Sequence, residues 1–229
     1  MKKAFLPLIC AAALAAETHQ DVHQHDLDNS ALWNITLDAG VGYAGMTVEE
    51  SYTNSSASTS GDTKYVGAPG FAAHARAGFQ YEFDNQFSIG IGAWGQYNTS
   101  EYKHSHTAPN VNRKATVYMD WNLGPDVRIG YSNDEKTTFF AMVAPDWGHY
   151  KFTNESTLSG VYKKSWTEDF ILGVRAGVGA MQKIDENWYF QGEFDGTWFD
   201  KKTHIGNDGS TNSFQFALVS SIFSVGYMF

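Results

Sequence analysis

Phe71-Ala-Ala-His-Ala-Arg-Ala-Gly-Phe-Gln-Tyr-Glu-Phe83 decides how the rest of the chain is read. Phe71, Ala73, Ala75, Ala77, Phe79, Tyr81 and Phe83 are apolar, whereas His74, Arg76, Gly78, Gln80 and Glu82 are small, polar or charged. Successive side chains of an extended chain point to opposite faces, so a period of two predicts a β-strand with one apolar and one polar face. Asp84-Asn85-Gln86 then forms a tight turn. The next strand sets Phe87, Ile89, Ile91 and Ala93 against Ser88, Gly90, Gly92, Trp94 and Gln96. Upstream, Trp33, Ile35, Leu37, Ala39, Val41 and Tyr43 alternate with Asn34, Thr36, Asp38, Gly40 and Gly42.

Downstream the same period recurs, and helical periodicity is nearly absent. Gly124-Pro125-Asp126 has the composition of a hairpin turn, yet parity carries through it. Ala115, Val117, Met119, Trp121, Leu123, Val127, Ile129 and Tyr131 stay on one side, and Thr116, Tyr118, Asp120, Asn122, Asp126 and Arg128 on the other. One long strand is therefore predicted, tolerating Pro125 near a bulge. A strand over 138–152 follows whose facing the pattern does not assign. Then Phe170, Leu172, Val174, Ala176 and Val178 oppose Asp169, Gly173, Arg175 and Gly177, and Trp188, Phe190, Phe194 and Trp198 oppose Gln191, Glu193 and Asp195. The last strand runs from about 213 to 229.

Connections alternate in length. Long ones span 47–70, 99–113, 153–165 and 201–212; short ones span 84–86, 132–137 and 183–187. Eight strands joined this way match a transmembrane barrel with short periplasmic turns and longer external loops. An open sheet in lipid would leave edge N–H and C=O groups unpaired at several kcal/mol each, which selects closure. The fold expected over 32–229 is all-β: a closed, up-and-down antiparallel transmembrane β-barrel of eight strands. Trp33, Phe71, Phe83, Phe87, Trp188 and Trp198, near strand ends, suit interfacial girdles.

The segment before it reads differently. Lys2 and Lys3 precede an apolar stretch from Ala4 to about Leu14, and Ala13-Leu14-Ala15 is a small-x-small cleavage site. Residues 1–15 are thus expected to be a secretory signal peptide, too short to span as a helix. Its removal takes away Cys10, the single cysteine, leaving no disulfide or thiolate site. It also leaves 14 basic against 25 acidic side chains, a net charge of −11, which disfavours nucleic acid as a partner. No later apolar run reaches the length of a membrane helix. Residues 16–31 form a flexible histidine-rich segment; His19, His23 and His25 are weak candidates for metal binding, with a solvated tail the simpler expectation.

At the end of the chain Phe223, Val225, Tyr227 and Phe229 alternate with Ser224, Gly226 and Met228 and finish on an aromatic residue. With the leader, this pattern resembles the signal read by the barrel assembly machinery of the outer membrane. The half of the chain from Asp126 onward also resembles the opacity-type porin family of small outer-membrane barrels, relatives of the OmpA transmembrane domain. The resemblance rests on Asp126-Val-Arg-Ile-Gly-Tyr131 with its short polar turn, on Gly173 to Gly179, on Asp185-Glu-Asn-Trp188 and on Glu193-Phe194. It implies an eight-stranded barrel in the cell outer membrane of a Gram-negative bacterium and a surface-antigen or adhesin-like role. Its motifs are architectural and carry over no catalytic residue.

The polar face carries Asp38, His74, Arg76, Glu82, Asp120, Arg128, Asp169, Arg175, Glu193 and Asp195. An eight-stranded barrel is just wide enough for side chains to fill, and buried charges must be paired, so these are expected to form a salt-bridged lumen plug. A narrow, porin-like channel for small solutes is the alternative. His104, Ser105 and His106 bring to mind the acyl chemistry of lipid A-modifying barrels. They fall in a predicted loop, however, with no base set against a nucleophile by an orienting acid. Neither catalysis nor a cofactor is expected. The expected partners are outer-membrane lipid and lipopolysaccharide, the assembly machinery, and host or surface ligands met through the loops. The Ser-, Thr- and Asn-rich stretch Ser51 to Gly61 suits either a solvated or an adhesive tip.

Overall fold

The computed structural model describes residues 33–54, 59–67, 69–83, 85–108, 111–133, 136–158, 161–205 and 210–229. The leader and the histidine-rich segment, with His19, His23 and His25, lie outside the described residues.

Eleven strands run through the described residues: β1 (Trp33–Asn54), β2 (Thr59–Val66), β3 (Gly70–Glu82), β4 (Phe87–Asn98), β5 (Glu101–Ala108), β6 (Val111–Ser132), β7 (Thr137–Leu158), β8 (Val161–Lys183), β9 (Trp188–Phe199), β10 (Lys202–Ile205) and β11 (Ser210–Met228). Eight of them, β1, β3, β4, β6, β7, β8, β9 and β11, form an antiparallel ring in which each pairs with its neighbours in sequence. β11 returns to β1 along a ladder from Thr36↔Met228 to Asn54↔Ser210, so the ring has no edge. This is the closed eight-stranded barrel that the alternation predicts. β2, β5 and β10 prolong β3, β4 and β9 beyond it.

These prolongations correct the expected loops. Segments 47–70, 99–113, 153–165 and 201–212 are largely strand, with β7 and β8 pairing as far as Leu158↔Val161 and β5 and β6 as far as Ala108↔Val111. A ladder is made by backbone groups, so a hairpin of Ser, Thr, Asn and Lys forms without the apolar face that marks strands in a sequence. The 22 residues of β7 extend about 70 Å at ~3.3 Å per residue, roughly twice what a bilayer needs. Half of the strand stands outside the membrane, at the end that carries the long connections.

Within the ring the two faces separate cleanly. Val41, Ile91, Ile129, Val143, Phe194 and Phe223 stand between 52% and 70% exposed on the outside. They belong to a continuous apolar band far larger than a soluble monomer presents to water. Aromatics close the band at the short-turn end: Trp33 lies 5.0 Å from Tyr81, Phe87 5.3 Å from Tyr131, and Trp188 5.0 Å from Tyr227. The Asp185 carboxylate accepts the N–H groups of Trp188 (2.7 Å) and Asn187 (2.8 Å) and so organises the turn between β8 and β9. Those two donors hold it below the usual carboxylate range.

β6 is one strand through Pro125, as its parity predicts, but the parity is not continuous. The register against β7 slips between Met119 and Trp121, making Asp120 a bulge residue. Val117 and Met119 consequently point inward at 1% and 0% exposure, and Tyr118 points out, the reverse of the expected faces. The strand of unassigned facing, β7, turns Thr138, Phe140, Met142, Ala144 and Asp146 inward.

Beyond the membrane the extensions divide into two four-stranded sheets, β2–β1–β11–β10 and β5–β6–β7–β8. Their inner faces meet through an apolar cluster of Met46, Val48, Tyr102, Val117, Met119, Tyr150, Phe214 and Phe216. The Tyr150 and Phe216 rings lie 5.6 Å apart, and those of Phe152 and Phe214 5.0 Å apart. The molecule is thus a barrel below and a two-layered stack above.

Candidate functional site

The membrane-level lumen is filled by polar side chains, chiefly a network of arginines and carboxylates. Arg76 Nε and Arg128 Nε both donate to Asp126 Oδ2 at 2.8 Å. Arg128 also donates to Gln191 Oε1 and Glu193 Oε2, each at 2.9 Å. Arg175 Nη2 reaches Glu193 at 2.7 Å and Asp195 at 2.9 Å, and Ser220 Oγ donates to Asp195 at 2.8 Å. Nearer the outer end, Asp146 accepts from Thr197 Oγ1 (2.9 Å) and Asn122 Nδ2 (3.0 Å), while Asn98 donates to Asn122 and Gln96 to Asn98, both at 2.7 Å. Guanidinium faces are covered as well: Arg175 lies 4.0 Å above the Trp94 ring and Arg128 4.7 Å from that of Phe140. Arg76 Nη1 reaches Thr36 at 3.2 Å, and Tyr189 donates to Asp38 at 3.3 Å.

Inward glycines make room for these long side chains. A Cβ on Gly92 would lie 2.7 Å from Arg76 Nη2 and 2.7 Å from Asp126 Oδ1, closer than carbon atoms approach. Without that space Arg76 would lose its place on Asp126. A cavity of about 20 Å³ bounded by Thr36, Arg76, Arg128, Phe140, Tyr189 and Gln191 holds roughly one water, far from a conduit.

Seven of the sequence-derived site residues meet in this network or against it. Arg76, Arg128, Arg175, Glu193 and Asp195 are its bridges, and His74 Nε2 lies 3.7 Å from Asp38 Oδ1 beside the Trp94 ring. Three others stand elsewhere, which corrects the expected set. Glu82 is at the short-turn rim, 3.2 Å from Lys183. Asp169 lies above the ring in the prolonged β8, half-exposed and 3.2 Å from Lys202. Asp120, displaced by its bulge, leaves the lumen and accepts from His149 Nδ1 at 2.6 Å.

His149 belongs to an outer cluster that the sequence pattern does not reveal. Its ring stacks 5.2 Å from Trp121 and meets Phe170 edge-on at 5.2 Å, and its Nε2 lies 3.2 Å from Glu168. Asp146, Asn122, Gln191 and Asp126 are likewise absent from the sequence-derived set. Asp126 and Gln191 lie on faces already read as polar, so parity alone identifies them, whereas Asp146 and His149 sit on the strand whose facing the pattern leaves open. His104, Ser105 and His106 lie in β5, paired with Ala115, Lys114 and Arg113 of β6, rather than in a loop. Phe223, Val225, Tyr227 and Phe229 face outward, with Phe229 N donating to Ile35 O at 3.0 Å.

Among known proteins, no family model matches the chain. A 31 kDa outer-membrane immunogenic protein of Brucella melitensis, and its counterpart in Brucella suis, are 25% identical over 147 residues, covering 63% of this chain. The alignment spans only 60% of those relatives' length. Among solved structures, the attachment invasion locus protein Ail of Yersinia pestis superposes over 85% of this chain and 98% of its own, with a TM-score of 0.37 and 12% identity. The outer-membrane protease OmpT of Escherichia coli does so over 86% and 97%, with a TM-score of 0.42 and 11% identity. At these values neither bears on activity. Closure, the apolar belt, the aromatic girdle and the outer-membrane relative together make this chain an outer-membrane β-barrel protein.

Proposed function

We propose that the protein is a structural and surface-interaction component of the outer membrane, anchored by its barrel and presenting two β-sheets to the exterior as a surface antigen or adhesin-like molecule. The observation that carries this reading is the double filling of the interior. A charged network occupies the membrane level, an apolar cluster occupies the level above it, and strands of 22 and 23 residues stand well clear of the bilayer. The immunogenic character in the relatives' name agrees with surface exposure. Under the same reading, residues 1–15 direct secretion and are removed, and the outward row ending at Phe229 is what the assembly machinery recognises. Lipopolysaccharide then surrounds the apolar band.

Two measurements test it. Protease added to intact cells is expected to cut within the external sheets and nowhere in the ring, with heat-modifiable gel mobility reporting closure. Purified protein in planar bilayers is expected to give no sustained conductance. Reproducible single-channel currents would replace the plug by a pore, and protection of the external sheets in intact cells would overturn the surface role.

A further inference from the structure

β8 has one edge that the barrel does not use. It pairs with β7 along its whole length, from Thr137↔Gln182 to Leu158↔Val161, but with β9 only from Gly173 to Lys183. β10, which follows β9, pairs with β11 alone. Among the described residues, therefore, no strand pairs with the edge from Val161 to Ile171, which contains neither proline nor glycine. β10 meets it at its base, where Asp200 N donates to Leu172 O at 2.9 Å and Lys202 lies 3.2 Å from Asp169. The Asp169 side chain stays 55% exposed beside that lysine.

The residues along this edge are arranged about Trp166. Tyr162, Lys163, Lys164 and Ser165 precede it, and Thr167, Glu168, Asp169 and Phe170 follow. Aromatic, plus, plus, hydroxyl on one side is answered by hydroxyl, minus, minus, aromatic on the other. Charges at an edge ordinarily keep other strands away, and a run of one sign repels a second copy of itself. Here the sign changes at the midpoint. Two copies laid antiparallel, Trp166 opposite Trp166, bring Tyr162 against Phe170, Lys163 against Asp169, Lys164 against Glu168 and Ser165 against Thr167, each twice. A shift of two residues is the smallest that keeps the faces, and in either direction it breaks all of these charge pairs.

The neighbouring strands agree with that register. One cross-strand row reads Ser105, Lys114, Glu155, Lys164, and another reads Glu101, Tyr118, Lys151, Glu168. Joined through Lys164 and Glu168, they make one row across both copies in which Lys114, Glu155, Lys164, Glu168 and Lys151 alternate in sign. The row between them, Lys103, Thr116, Thr153 and Trp166, meets its own image at the two tryptophans. Within one copy Lys164 lies 3.0 Å from Glu155 and Lys151 3.7 Å from Glu168. Those pairs remain, and Lys164 and Glu168 each gain a second neighbour of opposite charge. Tyr162, Trp166 and Phe170, exposed on the same face, gain cross-strand aromatic partners.

We propose that the Val161–Ile171 edge of β8 binds the same edge of a second copy of this chain as an antiparallel strand, joining two external sheets into one. Main-chain hydrogen bonds supply the affinity, and the lysine–carboxylate pairs fix the register. The two-fold axis that relates antiparallel strands of one sheet is normal to the sheet, so the two barrels point in opposite directions. The second copy consequently sits in a facing membrane. Pairing ends at Val161 opposite Ile171, before either ring begins at Gly173. The inference rests on the surface-interaction reading above and names one partner of that surface.

Sedimentation of full-length protein refolded in micelles and light scattering of proteoliposomes test it. Native protein is expected to dimerise, and native proteoliposomes to cluster. Lys163→Glu with Lys164→Glu makes the edge wholly acidic; Glu168→Lys with Asp169→Lys makes it wholly basic. Each double variant alone should associate at least about tenfold more weakly, because every charge pair turns repulsive, while an equimolar mixture should regain native association. Mixing does not repair a misfolded sheet, so recovery separates docking from folding. On a Cys10→Ser background, Trp166→Cys should form an interchain disulfide under mild oxidation. Tyr162→Cys should not, because its counterpart is Phe170. A monomeric native protein, double variants that associate like the native chain, a mixture no better than its components, or crosslinking through Tyr162→Cys in place of Trp166→Cys would each overturn the proposal. None of these results would alter protease cleavage on intact cells, so a failed docking edge and a failed surface role remain distinguishable.

Discussion

Arg128 shows why the lumen is a plug. Its guanidinium bonds Asp126, Gln191 and Glu193 at 2.8 to 2.9 Å and so ties β6 across the lumen to β9. In a low-dielectric interior the attraction within such a cluster roughly offsets the cost of desolvating its members, and the large penalty appears when one member is removed. Arg128→Met is accordingly expected to lower unfolding free energy by about 3 kcal/mol, because it takes one of two guanidinium partners from each of two buried carboxylates, leaving Asp126 to Arg76 and Glu193 to Arg175. Arg128→Lys, which keeps the charge but not the planar fork, should lose less. Urea unfolding in lipid vesicles, followed by tryptophan emission, measures both. The three arginines of the network share one design: each has carboxylate partners within 3 Å, and two are also covered by aromatic rings.

At the scale of the strand, the bulge at Asp120 decides more than any other feature. It switches β6 between two registers, so that residues above and below it can each turn their apolar or polar set the correct way. Below it Asn122, Asp126 and Arg128 enter the charged lumen; above it Val117 and Met119 enter the apolar cluster. Deleting Asp120 should remove the slip and leave both faces as they are, because Met119, Trp121 and Asn122 then alternate without a break. The extra residue is what lets odd positions above it and even positions below it both point inward. Tyr118→Cys, at a position 39% exposed in the native strand, should react with an impermeant maleimide on intact cells and stay reactive once Asp120 is deleted. Lost labelling would show that the deletion shifts one segment of β6 against β7 instead of merely straightening it. Asp120 itself is held outside by His149, which also contacts Glu168 on β8, so the slip is braced across three strands.

For the molecule as a whole, two solvents dictate two architectures. Lipid requires closure, because it offers no partner to an exposed backbone group. Water outside imposes no such condition, and there the same strands part into two sheets that bury an apolar centre. Phe216 lies at that centre, 2% exposed and 5.6 Å from Tyr150. Phe216→Ala is expected to cost the external sheets about 3–5 kcal/mol of packing while leaving the ring closed. Limited trypsin should then cut the sheets at Lys151 and Lys164 about tenfold faster than in the native protein, with heat-modifiable mobility retained. Loss of that mobility would show that the two levels fold as one unit.

The period of two was legible in every strand of the ring but β7, because alternation follows from local backbone geometry wherever one face meets lipid and the other a polar lumen. It located eight strands, the outward aromatic ends and seven of the residues that meet in or against the lumen network. Three matters were not local. β7 carries apolar residues on both faces, Phe139 and Val143 outside, Phe140 and Met142 inside, so only its neighbours decide which way it turns. The slip at Asp120 exists only as a mismatch of count between β6 and β7, which neither strand contains alone. The external strands alternate weakly because water wets one face and hairpin ladders need no apolar pattern, so their division into two sheets is settled by which edges pair.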